Sequence, residues 1–131
     1  MFARLFKKKS APPDRAARGK WGEKHCLSYL KKKGFKFLDH NFRCRQGEID
    51  LIMADSDGTV VFVEVKTREN EDFTDTEDVI TFAKKSRMKK AARLFLAKHK
   101  IEDRPLRFDV VTIVLNRPGP DRIKHYPNAF S

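Results

Sequence analysis

A chain of 131 residues has the size of one domain, and with 40% hydrophobic residues, 11 of the residues being Phe, it can bury a modest core, which excludes a disordered chain. Its 29 Lys plus Arg outweigh 18 Asp plus Glu, giving a net charge of +11 and a pI near 9.9, a balance that points to a polyanionic partner. No apolar run is long enough to cross a bilayer, so nucleic acid is the expected polyanion and no membrane role is expected.

Met1 to Lys9 is basic but has no signal-peptide apolar block, so a cytoplasmic location is expected. Residues 1–13, ending in Pro12 and Pro13, read as a flexible basic tail, with one domain over 14–131. A helix is predicted from Asp14 to Lys33, with Ala16, Trp21, Leu27 and Leu30 at helical spacing and Gly34 as its stop. Cys26 and Cys44 form no CxxC pair, so neither a zinc site nor a disulfide is indicated. Three strand-like runs follow, Phe35 to Phe42, Gln46 to Met53 and Thr59 to Thr67, and Asp57-Gly58 marks a hairpin between the last two. Glu69 to Asp78 reads as an acid- and Thr-rich loop, leading into a basic helix from about Val79 to Lys100 with the apolar stripe Met88, Ala92, Phe95 and Leu96. A final strand, Leu106 to Leu115, precedes a Pro-Gly-Pro turn and a short tail ending Asn128-Ala129-Phe130. The order α-β-β-β-α-β predicts an α/β (α+β) domain in which helices flank a sheet.

If the hairpin is centred on Asp57, Asp50 faces Glu64 and Glu48 faces Lys66. Facing acids repel unless something compensates, and a divalent cation would do so. Glu64 and Lys66 share a strand face with Val60 and Phe62, while Val61, Val63 and Val65 point the other way. A run so apolar belongs inside a sheet, where an unpaired acid or amine is expensive. Glu23 lies on the same helical stripe as Leu27 and Leu30, which adds a third inward acid. Singly, each residue has an ordinary reading: Asp50 as a strand-edge acid, Glu64 with Lys66 as a surface pair, Glu23 as the partner of a nearby Arg. Together they form a candidate site. Glu48 is expected to partner Lys66 or to face solvent.

The motifs Gly19-Lys20-Trp21-Gly22-Glu23, Asn41-Phe42-Arg43, Gly47-Glu48-Ile49-Asp50-Leu51-Ile52, Val61-Phe62-Val63-Glu64-Val65-Lys66-Thr67-Arg68, Arg107-Phe108-Asp109-Val110-Val111 and Asn128-Ala129-Phe130 resemble, in order and spacing, the YraN-type predicted endonucleases of bacteria. The resemblance implies a restriction-endonuclease-like fold similar to that of archaeal Holliday junction resolvases. It implies a catalytic set of Glu23, Asp50, Glu64 and Lys66, in which the acids hold Mg²⁺ or Mn²⁺ with the Val65 carbonyl as a further ligand. By analogy with the resolvases it also makes a homodimer conceivable. One departure is Thr74 and Thr76, which follow Phe73 where a Gly and a Pro are usual, so that loop is expected to be shaped differently.

The function expected from residues and resemblance together is metal-dependent phosphodiester hydrolysis, with DNA favoured over RNA and branched DNA among the candidate substrates. Lys84, Lys85, Arg87, Lys89, Lys90 and Arg93 on the second helix, and Arg68 just past the Glu-x-Lys strand, are the candidate phosphate contacts. The rival is a nucleic-acid-binding module whose carboxylates do not cleave.

Overall fold

Helix α1 (Arg15–Lys32) stops where Gly34, at φ 98°, turns the chain left-handed. The Phe35 N–H then reaches back to the Leu30 carbonyl and the Gly34 N–H to that of Lys31, while both apolar side chains enter one cluster. A computed structural model of the chain describes residues 15–69, 80–116, 118–119 and 122–131. The basic tail, Asp14 as helix start, the loop residues 70–78 with Thr74 and Thr76, Val79, and Arg117 and Pro120 at the Pro-Gly-Pro turn lie outside the described residues.

Strands β1 (Lys36–Cys44), β2 (Gly47–Ala54), β3 (Val60–Arg68), β4 (Leu106–Val114) and β5 (Ile123–Phe130) make one sheet in that spatial order. Only β3 and β4 run parallel, and the connection between them carries helix α2 (Phe82–Lys98), capped by the Thr81 side chain. The predicted order is therefore present with one strand added, in an α+β arrangement consistent with the nuclease-like core that the resemblance implies.

The hairpin register is the one the Asp-Gly turn predicts. Ala54 faces Val60 and Leu51 faces Val63, with Gly58 at φ 90° and its N–H on the Asp55 carbonyl. Alternation along β3 then sorts the core into two layers. Val60 and Phe62 pack with Met88, Ala92 and Phe95 of α2, whereas Val61 and Val63 pack with Cys26 and Leu30 of α1. Two glycines let the helices sit close. A Cβ on Gly22 would run into the Thr67 hydroxyl, and one on Gly47 would lie 2.7 Å from the Arg87 carbonyl oxygen.

Strand β5 corrects the expectation of a mere returning tail. Pro127 interrupts its alternation, Asn128 sits at φ 52°, and the register shifts between Phe108 and Val110, so no period-2 pattern reveals the strand. What holds it is Asp109, fully buried on β4. Its carboxylate accepts from the Asn128 N–H (2.9 Å), His125 Nε2 (2.7 Å) and Arg107 Nε (3.0 Å), and Arg107 also reaches Asp55 (2.8 Å). The Lys33 ammonium lies 2.9 Å from His125 Nδ1 and can only donate, so Nε2 keeps the hydrogen that it gives to Asp109. Burial works against the charge on Asp109, yet these donors hold its pKa below the ordinary aspartate range.

Two substitutions test this account. Asp109→Asn should lower stability by about 1–3 kcal/mol, because one amide oxygen cannot accept from Asn128, His125 and Arg107 together and a buried donor is left unmatched; an unchanged urea midpoint would show that β5 is held otherwise. Gly47→Ala pushes against backbone rather than a movable side chain, so a loss of about 1–3 kcal/mol is expected in the same assay.

Candidate carboxylate and lysine site

Strands β2 and β3 part at the far end of their hairpin. Their main-chain pairing ends at Leu51 and Val63, so the next residues in register, Asp50 and Glu64, face each other where the ladder opens. On its other side β2 keeps one register with β1 from His40–Leu51 to Phe42–Ile49, but Asn41, opposite Asp50, has φ 49°. Ile49 and Ile52 both pack in the α2 layer although Leu51 and Met53 face α1, so the alternation slips by one residue at Asp50. The slip turns the Asp50 carboxylate toward β3. There it accepts the Val65 N–H at 2.8 Å, a donor that a longer ladder would have given to β2 backbone.

Glu64 is 2% exposed and lies on the α2 side with Lys66. Its Oε2 receives the Lys66 ammonium at 2.9 Å and the Lys84 ammonium at 3.0 Å, the second arriving from the first turn of α2. Solvent reaches the cluster along these lysines, whose side chains keep 16% and 28% of their exposure. Glu23 approaches from the α1 layer, hydrogen-bonded by the Asn41 amide, and its charge acts on Asp50.

Two carboxylates in contact cannot both carry charge cheaply. Unit charges about 4 Å apart repel by about 4 kcal/mol at an effective dielectric of 20. Here the pair holds one proton. Burial and the neighbouring Glu64 charge push the Asp50 pKa up to about 8, against the help of the Val65 N–H, and protonated Asp50 hydrogen-bonds to Glu64. Burial opposes the charge on Glu64 too, but Lys66 and Lys84 outweigh it and bring its pKa below the usual glutamate range. Lys84 is likewise opposed by burial and raised by Glu64. Glu23 is raised by burial, partly offset by Asn41.

The structure brings Asp50, Glu64 and Lys66 together, whereas Glu23 stays in the α1 layer with Asn41 and acts on Asp50 through its charge alone. Among the described residues, no group of three acid, His or Cys side chains stands close enough to hold a metal ion as the side chains lie. Glu48 does not meet Lys66; it is exposed and pairs with Arg43 at 3.3 Å, because β2 and β3 have already separated at its level. Lys84, predicted as a phosphate contact, is engaged with Glu64 instead. Its signal was readable: a lysine in the first turn opposes the helix dipole unless an acid receives it, and α2 has no acid there. Asn41 had no such signal, since its role depends on a left-handed turn inside a strand. Of the other candidate contacts, Arg87, Lys90 and Arg93 are exposed on α2, Lys85 lies over the Phe130 ring at 5.6 Å, and Arg68 bonds to the Thr67 carbonyl at 3.2 Å.

Fold and site together define a mixed-sheet α+β protein with a proton-sharing carboxylate pair and two lysines at the mouth of a hairpin. The family described as Uncharacterised protein family UPF0102 matches residues 22–113, and the chain belongs to that family. It is 43% identical over 112 residues to a UPF0102 protein of Syntrophomonas wolfei, covering 86% of this chain and 96% of that one. A UPF0102 protein of Geobacter metallireducens is 42% identical over 112 residues (86% and 90% of the two chains), and one of Pelobacter propionicus 37% over 122 residues (92% and 87%). No helix among the described residues is long and apolar enough to cross a membrane.

The shared proton has a measurable consequence. The folded chain keeps a proton on Asp50 that the unfolded chain loses near pH 4, so between about pH 5 and pH 8 metal-free stability should fall as pH rises. Asp50→Asn imitates the protonated side chain and should flatten that slope, leaving stability at pH 8 equal or higher. Urea unfolding in EDTA across this range checks it; a mutant markedly weaker at pH 8 would mean that the Asp50 charge itself stabilises the fold.

Proposed function

We propose that this protein hydrolyses phosphodiester bonds in nucleic acid, using a divalent cation received by Asp50 and Glu64. The observation that carries this reading is the facing of half-buried Asp50 and buried Glu64 at a splayed strand end, with two ammonium groups on Glu64 and solvent reaching the pair along them. Such a pair is ready to exchange its proton for a cation. Asp50 and Glu64 would hold Mg²⁺ or Mn²⁺, with the Val65 carbonyl and Glu23 toward its hydration shell, and the ion would supply polarisation of the phosphate and a lower pKa for the attacking water.

The chain's own groups account for the remaining work. Lys66 sits within ion-pair distance of Glu64, so it can orient the water and counter charge developing on the phosphate. Lys84 bonds to the same oxygen and is freed to face phosphate when Glu64 turns to a cation. Arg87, Lys90 and Arg93 on α2, with Lys85 and Arg68, form the basic surface on which a polyanion would rest. DNA, branched or linear, comes before RNA by resemblance to the junction resolvases, and a cytoplasmic setting suits the free thiols Cys26 and Cys44.

One observation favours the rival reading of a binding module that does not cleave: both lysines fall on Glu64, and among the described residues no third acid closes on the pair. Incubation with branched DNA, linear DNA and RNA in Mg²⁺, Mn²⁺ or EDTA separates the two. Metal-dependent cleavage is expected, reduced about 10²–10³-fold or more by Asp50→Ala or Glu64→Ala. Cleavage indifferent to both substitutions would reveal a contaminant, and tight binding without cleavage in any metal would establish the module.

A further inference from the structure

A cavity of about 290 Å³ lies beside the site, between the start of α2 and the last strand, lined by Ile80, Lys85, Tyr126, Pro127, Asn128 and Phe130. Its place relative to Glu64 follows from register. Glu64 faces Val110 across the parallel ladder and Val110 faces Tyr126 across the next, and cross-strand partners share a sheet face. Tyr126 therefore stands on the face of Glu64, two strand spacings or about 10 Å away, which is the reach of a nucleotide next to the bond being cut. Helix α2 joins the two places, because Lys84 bonds to Glu64 and Lys85 borders the cavity.

The lining has the chemistry of a base site. Tyr126 is 37% exposed and offers a ring with a hydroxyl; Phe130 is already stacked on Phe108 at 4.9 Å and covered by the Lys85 ammonium, which makes it a fixed wall. Asn128 adds an amide able to donate and accept at a base edge. The volume is at the lower end of small-molecule sites, suited to a single heteroaromatic ring system rather than to an extended ligand. A basic residue beside an aromatic platform is how proteins hold unpaired nucleotides, the ammonium taking the backbone and the ring taking the base.

We infer that this cavity receives one unpaired nucleobase of the strand whose phosphate lies at Glu64, stacked on Tyr126 with Lys85 beside its phosphate. The inference rests on the reading that nucleic acid is the substrate, and it narrows that reading to strands with a splayed or single-stranded nucleotide next to the scissile bond. A base inside an intact duplex could not enter without leaving its stack.

Binding in EDTA tests the cavity independently of cleavage. The full chain is titrated with a short single-stranded oligonucleotide carrying 2-aminopurine, with the same sequence as a duplex, and with an abasic version. The wild type should bind the base-containing single strand about tenfold more tightly than the abasic one, in line with loss of one stacked base, and quench the 2-aminopurine. Tyr126→Ala should bind both single strands equally and leave the probe bright, while Tyr126→Phe keeps the discrimination. Equal wild-type affinity for the intact and abasic strands, or a Tyr126→Ala loss that is the same for both, overturns the inference without touching hydrolysis. Base-dependent binding by a protein that cleaves nothing in Mn²⁺ would instead remove the hydrolase reading and leave the cavity standing.

Discussion

Asp50 and Glu64 touch because the β2–β3 ladder ends one residue before them, and much of the molecule serves that contact. A regular hairpin would have pointed both acids to one face, where they would repel. The slip at Asp50, matched by the left-handed Asn41 opposite, instead lays one carboxylate against the neighbouring strand, where it takes a backbone N–H in place of a ladder bond. Acids from both helix layers can then act on one group: Glu64 from the α2 face and Glu23 from the α1 face. Gly22 and Gly47 have the same purpose, since each removes a Cβ where a helix must close on the strands that carry the acids.

Two buried polar centres share the sheet and solve the desolvation problem differently. Asp109 on the α1 face is surrounded by donors, so its charge is satisfied and it fastens β5 to β4. Asp50 has one backbone donor and a carboxylate for a neighbour, so it keeps a proton. The first arrangement is that of a structural acid. The second is poorly satisfied as an anion, the kind of perturbed group that clusters at functional sites.

Hairpin register and layer assignment were legible because local signals agreed: the Asp-Gly turn, the Val-rich alternation of β3 and the Gly34 stop all specify one answer. The facing of Asp50 and Glu64 followed from that register alone. Residues whose roles depend on irregularity were not legible. Simple pairing carried through Asp50 put Glu48 next to Lys66, but the strands have separated before that level and Arg43 takes Glu48. Strand β5 was missed because Pro127 and Asn128 break its pattern while the residue that secures it, Asp109, lies on another strand. Lys84 differs: its first-turn position without a neighbouring acid signals a partner elsewhere, though only the packing of α2 on the sheet shows that partner to be Glu64.

The proposed hydrolysis requires that a divalent cation bind at the Asp50–Glu64 pair and displace the proton there. Calorimetric titration of the metal-free protein with Mn²⁺ at pH 7, in two buffers of different ionisation enthalpy, reads both binding and proton release. Saturable binding with release of about one proton, lost in Asp50→Asn, is the predicted result. Binding with no proton released, or binding unchanged in Asp50→Asn, would contradict it.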